Sequence, residues 1–336
     1  MICPLPSKLS PARIDIVAFN AWPNNLRLSN GTVELIVTLD VGPRILVYRK
    51  CGAFNPFNVF EDQAGTTSER VWRNRGGHRL WIAPEDNVKT YFPDNEPVAW
   101  EQLGELRIRL RPFPETINGI QKEIDIRLDP TGTGVTIIHR VIRLGSNPVY
   151  LAPWALTVMT GGGIAVVPQP EMGQHPRDLQ PNRNLVLWPY TDMSDPRWHF
   201  GRNYLLLRQD SARGPTKIGL LHQMGWCGYL VGGVFFIKRY ECNPSAVYPD
   251  NGCNFEMFSN ARMLELESLG PLTHLHQNQS VEHVEQWELH DVSGALDANS
   301  EEMLDKLIEP FSKIVTSKIE TSGTVNSEDN PNQFRI

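Results

Sequence analysis

The feature that most constrains this chain is its rhythm. Across residues 14–289, short apolar or alternating stretches are cut off repeatedly by Gly, Pro, Asp and Asn. A helix needs an unbroken 3.6-residue repeat, whereas strands are short and end in turns, so this rhythm specifies a sandwich or barrel. The clearest stretch is 105–111, ELRIRLR. Leu106, Ile108 and Leu110 fall on one face, and Arg107, Arg109 and Arg111 fall on the other. Such alternation marks a half-buried strand with one solvated face. Residues 33–39, 44–48, 124–128, 135–144, 149–159 and 233–238 read as further strands. The breakers between them include Asp40-Val-Gly-Pro43, Asp129-Pro-Thr-Gly-Thr-Gly134 and Gly161-Gly-Gly163, and the 26 Gly and 26 Pro favour many turns over long helices. No repeat of fixed period is present. The expectation is an all-β, antiparallel sandwich over residues 12–292 with a single core.

Residues 293–336 break the pattern. Within 299–318, Met303, Leu304, Leu307 and Ile308 sit at helical spacing behind Ser300, a good N-cap, until Pro310 interrupts. Beyond Thr316 the tail is polar and reads as disordered.

Composition narrows the partners. A net charge of −6, with Lys and Arg scattered, shows no basic footprint for nucleic acid. No apolar run is long enough to span a membrane, and the N-terminus lacks a signal-peptide core. The five cysteines are odd in number and show no CxxC spacing, which suits free thiols in a cytoplasmic protein. A neutral or modestly charged small molecule fits best; nothing in the sequence sets the oligomeric state.

Four segments carry candidate chemistry. In 72–85, WRNRGGHRLWIAPE, a Gly-Gly step that allows a sharp turn or close approach precedes His78, Arg79, Trp81 and Glu85. These residues form either a ligand cluster or a strand edge with a core histidine. In 181–195, Asn182, Arg183, Trp188, Tyr190 and Asp192 combine planar rings with directional polar groups, as a sugar site requires, or else form a packed loop. In 248–269, Glu265 and Glu267 share one strand face while Leu264 and Leu266 take the other; the glutamates supply a base or a solvated face. Glu256, between Phe255 and Met257, is a third acid, whose pKa apolar neighbours would raise. In 271–290, His274, His276, His283 and His290 lack the partners of a tetrahedral site, so no metal and no cofactor is expected.

Together these residues resemble the galactose-mutarotase-like (aldose epimerase) superfamily, in an uncharacterised branch. The resemblance rests on Val41-Gly-Pro-Arg-Ile45, the Arg-Gly-Gly stretch in 75–84, Met263-Leu-Glu-Leu-Glu267 and the closing strand region 275–289. It implies a β-supersandwich whose cleft binds a carbohydrate. In that family a Glu takes the anomeric hydroxyl proton and a His protonates the ring oxygen. Glu267 best matches the glutamate, with Glu256 as runner-up, and His78 lies near the family's substrate-binding histidine. Arg79, Trp81, Glu85, Trp154, Asn182, Arg183, Trp188 and Glu265 then become candidate sugar contacts. The family's second histidine is missing: Leu151-Ala-Pro-Trp-Ala155 stands in its place, and the indole of Trp154 cannot titrate. His139 and His175 lie elsewhere, His139 on an apolar strand face. The two functions implied are an aldose 1-epimerase-like isomerase and a catalytically idle carbohydrate-binding or sensing protein.

Overall fold

The computed structural model describes residues 12–292 and 300–309. Its first sheet runs, in spatial order, through Arg13–Phe19, Trp22–Ser29, Val33–Thr38, Ile45–Lys50, His78–Ala83, Val149–Met159, Leu264–Leu269, Phe255–Ser259, Thr216–Leu220 and Val186–Leu187. The short strand Thr273–Leu275 pairs beside Val149–Met159. The second sheet runs through Trp198–Phe200, Tyr204–Arg208, Ile164–Pro168, Trp226–Val231, Val234–Tyr240, Ser280–Asp291, Val135–Arg143, Ile120–Leu128, Arg107–Arg111 and Ala99–Gly104. Neighbouring strands within each sheet are antiparallel, as the rhythm of the sequence predicts.

Period-2 alternation decides which side chains meet. Leu80, Ile82, Leu264, Leu266, Met257 and Ile218 of the first sheet pack against Ile124, Ile126, Ile137, Val141, Tyr229 and Phe236 of the second. Leu106, Ile108 and Leu110 are buried in the same core. On the outer face Arg109 pairs with Asp125 at 2.6 Å and Arg111 with Glu123 at 2.6 Å, so that face is a ladder of ion pairs.

The helix expected after Ser300 is present at Glu301–Ile308, with the Ser300 side chain accepting from the Met303 N–H. Leu304 and Ile308 pack on Val166, Leu206, Trp226, Phe235 and Ile237, covering the far face of the second sheet. The stretch past Pro310 and the tail beyond Thr316 lie outside the described residues.

Two sequence motifs prove to be structural pins. Gly76 and Gly77 have φ of +85° and +69°, and a Cβ on either would lie 2.2 Å from the Asn58 carbonyl oxygen or 2.5 Å from that of Ile45. The Gly-Gly step therefore serves a close approach of the chain to itself. Arg75 is buried beside it and donates to Gln63, Thr66 and Asn95. Arg44 is likewise buried, bonded to Asp94 at 3.1 Å.

A polar network runs through the centre of the core. His139 Nδ1 faces the His283 carbonyl oxygen at 2.9 Å, so that nitrogen carries the proton and Nε2 accepts from His78 Nε2–H at 2.7 Å. His78 Nδ1 then accepts from the Thr157 hydroxyl at 2.9 Å. Ser268 joins His283 Nε2, at 2.6 Å, to Glu285, at 2.5 Å. Glu285 is in turn held by Lys238, at 2.8 Å, and by the Trp287 indole, at 2.8 Å. Each buried polar group of this network has a partner, which is what lets it sit between two apolar layers.

The network makes stability depend on pH. Burial pushes the pKa of His139 and of His283 down to about 3, and it holds His78 well below the ordinary value. In the unfolded chain these rings titrate near 6.5, so below about that pH unfolding takes up protons. Stability supplied by the neutral rings is full above about pH 6.5 and falls towards pH 4. Urea midpoints should drop between pH 7.5 and 5, and His139→Gln should shrink the drop. Midpoints independent of pH, or an undiminished drop in the variant, would contradict this.

Candidate functional site

The face of the first sheet turned away from the core carries the site. Register places Trp154 beside Trp81 and Leu156 beside Arg79, and it sets Leu156 opposite Glu267 and Val158 opposite Glu265. Glu267 in turn faces Glu256, and Phe258 faces both Glu265 and Lys217. Five central strands thus bring Arg79, Trp81, Trp154, Glu265, Glu267, Glu256 and Lys217 onto one surface. Trp72, Tyr91 and Tyr190 from flanking loops close it into a cleft of about 220 Å³.

Lys217 is the centre of its electrostatics. Its Nζ lies 2.7 Å from Glu256 and 2.9 Å from Glu267, 4.7 Å from the centre of the Trp154 ring and 4.8 Å from that of Trp188. Glycine at position 219 makes this packing possible: a Cβ there would lie 2.4 Å from the Cys253 sulfur and 3.2 Å from Trp188. Burial lowers the Lys217 pKa, but the two carboxylates outweigh it and hold the ammonium well above its ordinary value. Burial raises both glutamates, against the pull of Lys217. Glu267 accepts from both Lys217 and Trp154, whereas among the described residues no hydrogen bond reaches Glu256, so the negative charge of the pair is better held on Glu267. Trp154 Nε1 donates to Glu267 Oε2 at 3.0 Å, the same oxygen that Lys217 uses, so neither donor uses Oε1.

A second pair lies alongside. Arg79 Nη2 is 3.0 Å from Glu265, and the guanidinium stacks over Trp81 at 4.2 Å and Trp72 at 5.2 Å. Its Nε and Nη1, like the Trp72 indole nitrogen, are buried without a protein partner. At the rim Glu85 accepts from the Tyr91 hydroxyl at 2.5 Å.

The structure thus unites Arg79, Trp81, Glu85, Trp154, Glu265 and Glu267 around one cleft, with Trp188 and Glu256 behind Lys217. Three expectations are corrected. His78 is fully buried on the opposite strand face, in the core network, because neighbouring residues of a strand point to opposite sides. Asn182 and Arg183 lie outside the cleft; Asn182 donates to the Glu171 carbonyl at 2.9 Å and Arg183 to those of Pro170 and Arg202, pinning their own loop. Lys217 was not singled out in the sequence. Its only local signal is a lysine on an otherwise apolar strand, and its partners come from strands far along the chain.

For a metal, His78, His139 and Glu285 offer donor atoms within 4.8 Å of one another. Each of them already has a partner in the core network. His274, from the histidine-rich segment, stacks on Tyr150 at 4.2 Å instead.

Sequence comparison finds no matching protein-family model and no matching curated protein. Comparison of folds does. A galactose mutarotase-like protein from Lactobacillus casei superposes with a TM-score of 0.56, covering 80% of this chain and 100% of that one at 9% identity. A galactose mutarotase related enzyme from Lactobacillus acidophilus gives 0.51, with 81% and 99% covered at 7% identity. A galactose mutarotase-like protein from Clostridium acetobutylicum gives 0.51, with 84% and 99% covered at 9% identity.

Removing one partner of a buried ion pair costs about 3–5 kcal/mol, because the charge left behind is uncompensated. Lys217→Met should therefore lower stability on that scale, and adding Glu267→Gln should restore part of the loss. Urea unfolding reads both; a single variant as stable as wild type would show that the ammonium does not hold the carboxylates. At the level of architecture the resemblance read from the motifs stands: this chain has the galactose mutarotase-like fold.

Proposed function

We propose that the protein binds an aldose in this cleft and interconverts its anomers by acid–base catalysis, with Glu267 as the base. The observation that carries this reading is Glu267 itself, at the cleft floor with one oxygen held by Trp154 and Lys217 and the other used by neither donor. A pyranose has apolar C–H faces and a rim of hydroxyls. The Trp72, Trp81 and Tyr91 wall suits the faces, and the unpartnered Arg79 and Trp72 donors suit the rim. Both cations of the cleft, Arg79 and Lys217, are already paired with glutamates. A neutral sugar therefore fits better than a sugar phosphate. Four thiols, at Cys51, Cys227, Cys242 and Cys253, are free, which suits the reducing cytoplasm, where small sugars are abundant.

One observation favours the second reading, a sugar-binding protein without turnover. Among the described residues no histidine lines the cleft, and Trp154 stands where the resemblance leads one to expect the general acid.

Calorimetry with glucose, galactose, xylose and glucose 6-phosphate tests the binding step. A neutral sugar should bind at least at millimolar strength, about −4 kcal/mol, and more tightly than the phosphate. No heat with any of them would contradict the proposal. Polarimetry on freshly dissolved anomers tests turnover. Glu267→Gln should slow catalysed anomerisation about 10²-fold with little change in binding.

A further inference from the structure

Anomerisation needs two proton transfers at one carbon. The anomeric hydroxyl must lose a proton, the ring oxygen must gain one, and the bond between C1 and the ring oxygen must break. A base without an acid leaves the second transfer to solvent. The described lining of the cleft contains no histidine for that task. It contains Lys217.

Resting on the reading above, we infer that Lys217 is the general acid of the cleft, acting with Glu267 as a paired acid and base on the two oxygens of the anomeric carbon. The geometry supports this in three ways. Lys217 and Glu267 both line the cleft, and their polar atoms are only 2.9 Å apart. Two oxygens bonded to one carbon are close neighbours, so an acid and a base that are also close neighbours can serve them from one side, without a residue across the ring. An ammonium has three N–H donors. One is spent on Glu267, at 2.9 Å, and Nζ lies 2.7 Å from Glu256 without a hydrogen bond to it, leaving donor capacity for a ligand oxygen. Third, Glu256 and Glu267 flank the amine, so it can be reprotonated without solvent.

The step balances. Glu267 Oε1 takes the proton of the anomeric hydroxyl, and the electron pair of that O–H bond forms the carbonyl. The C1–ring-oxygen bond breaks towards oxygen, which takes a proton from Lys217 Nζ. The open-chain aldehyde rotates about its C1–C2 bond, and the same transfers run in reverse close the ring as the other anomer. The two transfers help one another. While Glu267 is charged it holds the ammonium proton tightly, and once Glu267 is protonated that hold is weakened. The acid therefore becomes able to give its proton at the moment the base takes one.

The test separates this inference from the reading it rests on. Arginine keeps the charge between the two glutamates but does not release its proton, so Lys217→Arg isolates proton donation from electrostatics. Binding is read by calorimetry with the tightest of glucose, galactose and xylose, and anomer exchange of that sugar by NMR magnetisation transfer on the full-length chain. Lys217→Arg should bind within about threefold of wild type and lose catalysed exchange about 10²-fold or more. Where the bulk of arginine weakens binding further, exchange at saturating sugar is compared and should still be lost. Wild-type exchange in Lys217→Arg at saturation would overturn the assignment. Wild-type protein that binds a sugar without accelerating its exchange would overturn it too, leaving a binding protein. Wild-type protein that binds none of the sugars would overturn both readings.

Discussion

Everything at this site depends on one buried ammonium. Glu256 and Glu267 face each other across neighbouring strands, both almost wholly removed from solvent. Two carboxylates so placed repel, and each would be costly to ionise in the protein interior. Lys217, from the strand beyond Glu256, resolves the conflict by pairing with both. A buried triad of this kind is weak grounds for stability, since apolar residues of similar volume often do as well. What the triad gives instead is a carboxylate of fixed charge and orientation, capped by Trp154 and Trp188 and facing a cleft.

The same strands build two separate polar systems, one on each face of the first sheet. On His78–Ala83, His78 turns inward to the histidine network while Arg79 and Trp81 turn outward to the cleft. On Leu264–Leu269, Ser268 turns inward to His283 and Glu285 while Glu265 and Glu267 turn outward. The inner network ties the sheets together through directional bonds, and so fixes the strands whose outer faces carry the site. Precise placement of a base and an acid depends on such support.

Much of this was legible in the sequence, and the reasons differ by residue. Alternation in 105–111 marked the inward leucine and isoleucine side chains correctly, and the same parity placed Glu265 and Glu267 on one face. Parity also spoke against His78: residue 78 shares its face with Leu80 and Ile82, both apolar, and not with Arg79 and Trp81. Clustering along the chain hid that separation, because His78, Arg79, Trp81 and Glu85, so close in sequence, look like one site. Lys217 was out of reach, since its meaning comes from cross-strand pairing with Glu256, then of Glu256 with Glu267. Asn182 and Arg183 had the right chemistry for a sugar, but a loop carries no periodicity to say which way its side chains point.

The central claim is that the cleft holds one neutral and one charged glutamate around the ammonium. Carbon-13 NMR of the full chain, labelled at the glutamate side-chain carboxyls and titrated through neutral pH, observes this directly, with Glu256→Gln and Glu267→Gln giving the assignments. The account predicts that Glu256 and Glu267 both ionise above the ordinary glutamate range, Glu267 first, with the later-titrating resonance absent from Glu256→Gln. A spectrum in which every glutamate titrates in the ordinary range would contradict it.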